Sequence, residues 1–224
     1  MNTLLEHVQA VLSTTPERWQ RLVSTLPIDL LTRPPAAGEW SALHCLQHLL
    51  DAERLVFPVR LHAFLTGQDF VDFDPNQQHA GPDSQTPEQL VAAFARSRQE
   101  SLVLLKHVKD DDLGRTAQHP QFGTVTLAEM LHTWAAHDLM HTVQAERALM
   151  QPFMLGCGPW RLFFRDHEIG DGDIVFGLEV AALDRPQRKI EVANVLIEHV
   201  LDHRGETPAF LHHEAKVFVL LGWL

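Results

Sequence analysis

Two histidines four residues apart, His137 and His141 in LHTWAAHDLMHTVQAERAL (131–149), are the side chains of this sequence best suited to chemistry. Four residues is slightly more than one helical turn, so on a helix the two imidazoles stand one above the other and can share a ligand. Chance is the competing explanation, because 15 histidines in 224 residues produce some such pairs without purpose. A third imidazole on a facing element changes the odds. His48, in WSALHCLQHLLDAERLVFPVRLHAFL (40–65), is the candidate. At about 100° per residue, His48 falls beside Ala52 and Leu55 at the edge of an apolar sector. His44 lies nearer the polar strip of Gln47, Asp51 and Arg54. On the later helix His137 and His141 share a side with Met130, Trp134 and Ala148, whereas His132 falls on another face.

Three inward imidazoles from two helices are a ligand set for divalent zinc, nickel or iron, and they leave coordination positions open for a small molecule. Asp138, next to His137, is a candidate to orient a ligand ring from outside the coordination sphere, as carboxylates do around metal-bound histidines. Glu53 sits amid apolar neighbours and reads either as a general base or as a structural hydrogen-bonding group, since a buried carboxylate needs a partner whatever its task. His44 is a further candidate beside the site. The alternative for all three imidazoles is that hydrogen bonds satisfy them inside a bundle with no ion.

The elements that must carry these residues are helices. Thr-Pro pairs mark two expected starts, with Thr as N-cap and Pro in the first turn: TPERWQRLVSTL from Thr15 and TPEQLVAAFARSRQESLVLLKHV from Thr86. Thr86 with Gln89, and Thr126 with Glu129, have the spacing of capping boxes. The segment opening at Ser41 is expected to break or kink near Pro58. Four helices result, at roughly 15–26, 41–66, 86–109 and 126–150, with a shorter apolar segment before Thr15. The loops between them are IDLLTRPPAAGE (28–39), TGQDFVDFDPNQQHAGPDSQ (66–85) and DDDLGRTAQHPQFG (110–123), none with a clear strand. This pattern predicts an all-α four-helix bundle whose ligands project inward from facing helices. The end of the chain differs: DGDIVFGLEVAAL (171–183) is strand-like, RKIEVANVLIEHVLDH (188–203) has helical spacing, and KVFVLLGWL (216–224) is either. We therefore expect a bundle over 1–167 and a C-terminal α/β appendage over 168–224.

Composition narrows the function. With 18 Lys and Arg against 29 Asp and Glu, the formal charge is −11, which disfavours a nucleic-acid or anionic-membrane surface. Only two cysteines occur, Cys45 and Cys157, so neither a disulfide framework nor a cysteine zinc cluster is available. The start, MNTLLEHVQAV, lacks a basic and then continuously apolar leader, and no stretch has the apolar length of a membrane span, so a cytoplasmic location is expected.

GEWSALHCLQHLLDAE (38–53) resembles the second-helix signature of the DinB/YfiT-like superfamily, in which a Trp-Ser pair precedes a metal-binding His in a His-Leu-x-Asp-x-Glu run. GTVTLAEMLHTWAAHDLMHTVQAERAL (123–149) is similar to that family's fourth helix with its His-x-x-x-His pair, and CGPWRLFFRDH (157–167) to the usual end of its domains. The resemblance spans roughly residues 10–167. It implies a DinB-like up-down four-helix bundle, commonly a homodimer, with His48, His137 and His141 as metal ligands. It departs from the pattern at His44, where the family more often has an acidic residue, and in the appendage, which typical members lack. Characterised members include transferases and an isomerase that use a low-molecular-weight thiol such as bacillithiol, mycothiol or glutathione.

The resemblance thus implies a metal-dependent enzyme acting on a small-molecule substrate, such as a thiol-dependent S-transferase for small electrophiles. A metal-dependent hydrolase, a non-catalytic metal-binding stress-response protein and a helical interaction module are the alternatives. One rival pair of ligands has the same spacing, His199 and His203 in IEHVLDHRGE. The plainer reading makes these surface or interface histidines of an amphipathic helix. His212 and His213, being adjacent, point apart on a helix.

Overall fold

A computed structural model describes residues 3–70 and 85–169 of the chain. Six α-helices account for most of it: α1 (Thr3–Thr25), α2 (Ile28–Thr32), α3 (Ala42–Leu55), α4 (Phe57–Thr66), α5 (Pro87–Leu105) and α6 (Leu127–Gly156). A two-stranded antiparallel sheet, β1 (Thr116–His119) with β2 (Gly123–Thr126), precedes α6, and a 3-10 helix, Gly158–His167, follows it. The expected four-helix bundle is formed by α1, α3, α5 and α6. Among the described residues no helix is long and apolar enough to cross a membrane.

The expected capping boxes are present. The Thr86 hydroxyl accepts from the Gln89 amide while Gln89 Oε1 accepts from the Thr86 amide at 2.9 Å. Thr126 and Glu129 do the same at the head of α6. α3 and α4 are separated at Val56, two residues ahead of Pro58, because Pro58 has no N–H to continue the ladder.

Three local expectations need correction. Thr15 is not an N-cap: α1 runs unbroken from Thr3, with Thr15 buried inside it and its hydroxyl donating back to Val11 O at 3.3 Å. The cost of Pro16 inside the helix is offset by tertiary contacts, since the Leu12 carbonyl it leaves without an amide partner accepts from Arg98 at 2.9 Å. Residues 28–32, read as loop, form a short helix that buries Leu31. Residues 110–123, also read as loop, hold a 3-10 helix (Asp110–Gly114) and the first strand of the hairpin. Its register pairs Thr116 with Thr126 and His119 with Gly123, and Gly123, at φ 71°, supplies the left-handed residue a short hairpin loop requires.

Two apolar clusters fill the bundle. One gathers Leu5, Val8 and Leu12 of α1 with Phe57, Leu105, Leu131 and Trp134. The other gathers Trp19 and Val23 of α1 with Cys45, Leu46, Phe94, Ala145 and Leu149. Along the sequence α1 and α6 pass from the first cluster to the second, whereas α3 and α5 pass from the second to the first. The four helices thus run up, down, down, up, which corrects the simple up-down order within the expected four-helix bundle, because the consecutive bundle helices α3 and α5 run parallel. α1 and α3 each pack against α5 and α6, which leaves α1 diagonal to α3 and α5 diagonal to α6. Between the clusters lies a belt of buried polar side chains: Thr15, His48, Glu53, Arg98, Ser101, His137, Asp138, His141 and Thr142.

The segments expected to be strand-like (171–183), helical (188–203) and either (216–224), and the pairs His199/His203 and His212/His213, lie outside the described residues.

Candidate metal centre

In the polar belt α3 and α6 face each other, and the three histidines meet there. One ring nitrogen from each of His48, His137 and His141 lies within 4.8 Å of the others, and all three side chains are buried. His48 Nε2 and His137 Nε2 are 3.1 Å apart. Two imidazole lone pairs cannot face each other at that distance without a proton or a cation between them. Nitrogens both about 2.0–2.1 Å from one tetrahedral ion are separated by about 3.3 Å, so the gap suits a shared divalent ion.

The surroundings keep two of these rings, His137 and His141, neutral. His137 is pulled well below the ordinary imidazole range, first by burial and then by the neighbouring His141 and His48 and the cations Arg98 and Arg60. His141 is lowered to about 4 by burial, against the opposing pull of its Gln144 hydrogen bond and the Asp138 charge. A neutral imidazole keeps the lone pair a metal needs. His141 Nδ1–H donates to the amide oxygen of Gln144, one turn along α6, at 2.8 Å, which assigns the lone pair to Nε2. Aromatic rings wall the cluster: Trp40 stacks on His141 at 5.8 Å and tilts against His48 at 5.0 Å, and Phe57 meets His137 edge-on at 5.3 Å. The donor set, its burial and its neutrality fit a divalent cation.

The remaining sequence candidates go elsewhere. His44 is exposed and completes a capping box, its Nδ1 accepting from the Ser41 amide at 3.1 Å. Asp138 directs both oxygens to Arg98, at 2.6 and 2.9 Å, rather than to a ring N–H. Glu53 reaches the same guanidinium at 2.8 Å, so its observed partner is structural. Cys45 is buried in the apolar cluster, where burial pushes its thiol up to about 12 and makes it inert. His132 is exposed, as its helical phase requires.

Arg98 is the residue that sequence reasoning missed. It is 1% exposed and makes all four of its hydrogen bonds to buried groups on α1, α3 and α6. Burial alone would lower its pKa, but the Asp138 and Glu53 carboxylates outweigh burial and raise it, so the guanidinium stays charged. A signal was present: Phe94, Arg98, Ser101 and Leu105 follow one another at helical spacing on the inward stripe of α5. An arginine in that stripe, with Glu53 and Asp138 both at inward positions of other helices, calls for an ion pair.

Comparison with known proteins agrees with this geometry. Among curated proteins no sequence matches the chain. Among solved structures the fold is similar to YfiT from Bacillus subtilis, described as a probable metal-dependent hydrolase with an unusual four-helix bundle topology, at a TM-score of 0.59 and 18% identity over 68% of this chain and 90% of that one. The family profile of the DinB superfamily matches residues 12–145, more than half of the sequence and the whole of the histidine cluster, and the chain belongs to that superfamily.

Proposed function

We propose that this protein is a metal-dependent enzyme in which His48, His137 and His141 hold one divalent ion that activates a small nucleophile. The observation that carries the reading is the convergence of three buried imidazoles from two helices, two of them shifted to the neutral form. Such an ion acts as a Lewis acid and lowers the pKa of a thiol or of water that enters beside it. The protein supplies the rest. Gln144 orients His141, Phe57 and Trp40 exclude bulk water from the rings, and three neutral protein ligands leave room for the nucleophile.

The nucleophile we favour is a low-molecular-weight thiol, delivered as thiolate to a small electrophile; the support is the family resemblance of the two histidine motifs. Water, and hence hydrolysis, is the second reading, favoured by the description of the similar YfiT structure. Zinc, nickel and iron all accept three imidazoles. A homodimer working on a small molecule is the expected form of the enzyme.

Elemental analysis of protein purified without added metal, followed by parallel assays with several thiols plus an electrophile and with hydrolysable esters and amides, tests the proposal. We expect one ion per chain, lost sharply in each of His48→Ala, His137→Ala and His141→Ala with helix content kept. A triple variant that takes up metal like the parent overturns the ligand assignment. Turnover that depends on metal but not on thiol replaces S-transfer with hydrolysis.

A further inference from the structure

We propose that Arg98 is the positioning residue of the metal centre, holding α3 and α6 at the separation that lets His48 meet His137 and His141; this rests on the metal-centre reading above. The ligand set is divided between two helices, His48 on α3 and the pair on α6, so its geometry depends on how those helices are fixed relative to each other. Arg98 comes from a third helix, α5, which packs against α3 but stands diagonal to α6. Its guanidinium crosses the bundle. Nη1 and Nη2 grip Asp138, the residue next to His137, end-on at 2.6 and 2.9 Å, and Nη2 also donates to Glu53 on α3 at 2.8 Å. Nη1 is anchored on α1 through Leu12 O at 2.9 Å, the carbonyl that Pro16 leaves without an amide. One side chain therefore joins all four helices of the bundle in the layer of the histidines.

Stability alone is a poor reason for this network. Apolar side chains of similar volume hold a bundle as well as a buried ion triad does, and often better, whereas a planar fork fixes direction as well as distance. Every ion-paired group here is 1% exposed, so water contributes nothing to holding the geometry. A lysine keeps the charge but has no fork with which to grip Asp138 and Glu53 together.

The test is cobalt(II) substitution of the full-length protein, read by its ligand-field absorption, with zinc affinity from competition against a chromophoric chelator and helix content from circular dichroism. Arg98→Lys is expected to fold, to bind zinc weaker by on the order of 10–100-fold, and to shift the cobalt bands. Glu53→Gln, which leaves the grip on Asp138 in place, is expected to show a smaller loss and a shift of the same kind. A folded Arg98→Lys protein with the parent's cobalt spectrum and zinc affinity overturns the proposal, even if it melts at a lower temperature, because that is the signature of a purely structural role. If Arg98→Lys does not fold, Glu53→Gln decides by the same two measurements. Failure of the metal-centre reading shows separately, as a parent protein with Arg98 intact that takes up no cobalt.

Discussion

His141 pays for its position in pH sensitivity. In the unfolded chain its imidazole titrates near 6.5, whereas in the folded protein burial lowers it to about 4, and His137 lies well below its ordinary value too. Between those values the unfolded state takes up protons that the folded state refuses. The stability these rings contribute is therefore fully present above about pH 6.5 and is lost as the pH falls toward about 4. For His141 alone the difference is on the order of 3 kcal/mol. Chelator-treated protein should accordingly show a lower urea midpoint at pH 4.5 than at pH 7.5; equal midpoints would mean that the rings are not buried as described. Metal binding draws on the same neutral rings, which the folded protein keeps unprotonated well below pH 6.5, so the increment in melting temperature on adding metal should hold from pH 7.5 to pH 5.5 and shrink as the pH falls toward about 4. An increment that is unchanged at about pH 4 argues against histidine ligation. Helical phase alone identified His48, His137 and His141 as inward residues, because burial on a helix repeats with the turn. It did not reveal that Asp138 and Glu53 answer to Arg98, since an ion pair between residues 40 and 45 positions apart leaves no local period to read.

At the scale of the element, α6 carries two of the three proposed ligands and depends on its first turn for its start. Thr126 caps the Glu129 amide, and the Glu129 carboxylate returns to the Thr126 amide at 2.7 Å, an interaction that also holds the carboxyl below its usual range. Thr126→Ala should cost about 1 kcal/mol in denaturant unfolding. Metal stoichiometry should stay the same, since His137 stands about three turns away; a loss of metal at full helix content would mean that the cap also sets the phase of the ligands. Such caps were legible because Thr-x-x-Glu and Thr-x-x-Gln are local grammar. The same grammar misled at Thr15-Pro16, where the start signal lies inside α1 and the tertiary bond from Arg98 to Leu12 O occupies the carbonyl that Pro16 frees. The hairpin before α6 was missed for a related reason. Its strands are four residues each, with side chains too exposed to show an alternating apolar pattern, and only the left-handed Gly123 marks the turn.

At the scale of the molecule, the order up, down, down, up follows from where each helix meets the two apolar clusters, and the sequence carries no sign of it because helix direction depends on the loops' paths. The helices α3 and α5 run parallel, and α6 closes against α1 and α3. The proposed ligands, Arg98 and both its carboxylates, and both apolar clusters belong to residues 3–169. Gln151 also closes the end of this region, donating to His167 O at 2.8 Å and accepting from the Ile169 amide at 3.0 Å. A protein ending at Ile169 should therefore keep the helices α1 to α6 and bind one ion per chain. The segment after 168 is expected to serve an interface instead, so sedimentation of the truncated protein should show a changed oligomeric state or reduced solubility. A soluble truncation of unchanged assembly rejects that interface role. A folded truncation that has lost its metal moves the ligand set toward His199 or His203, the histidines four residues apart in the sequence that the cut removes.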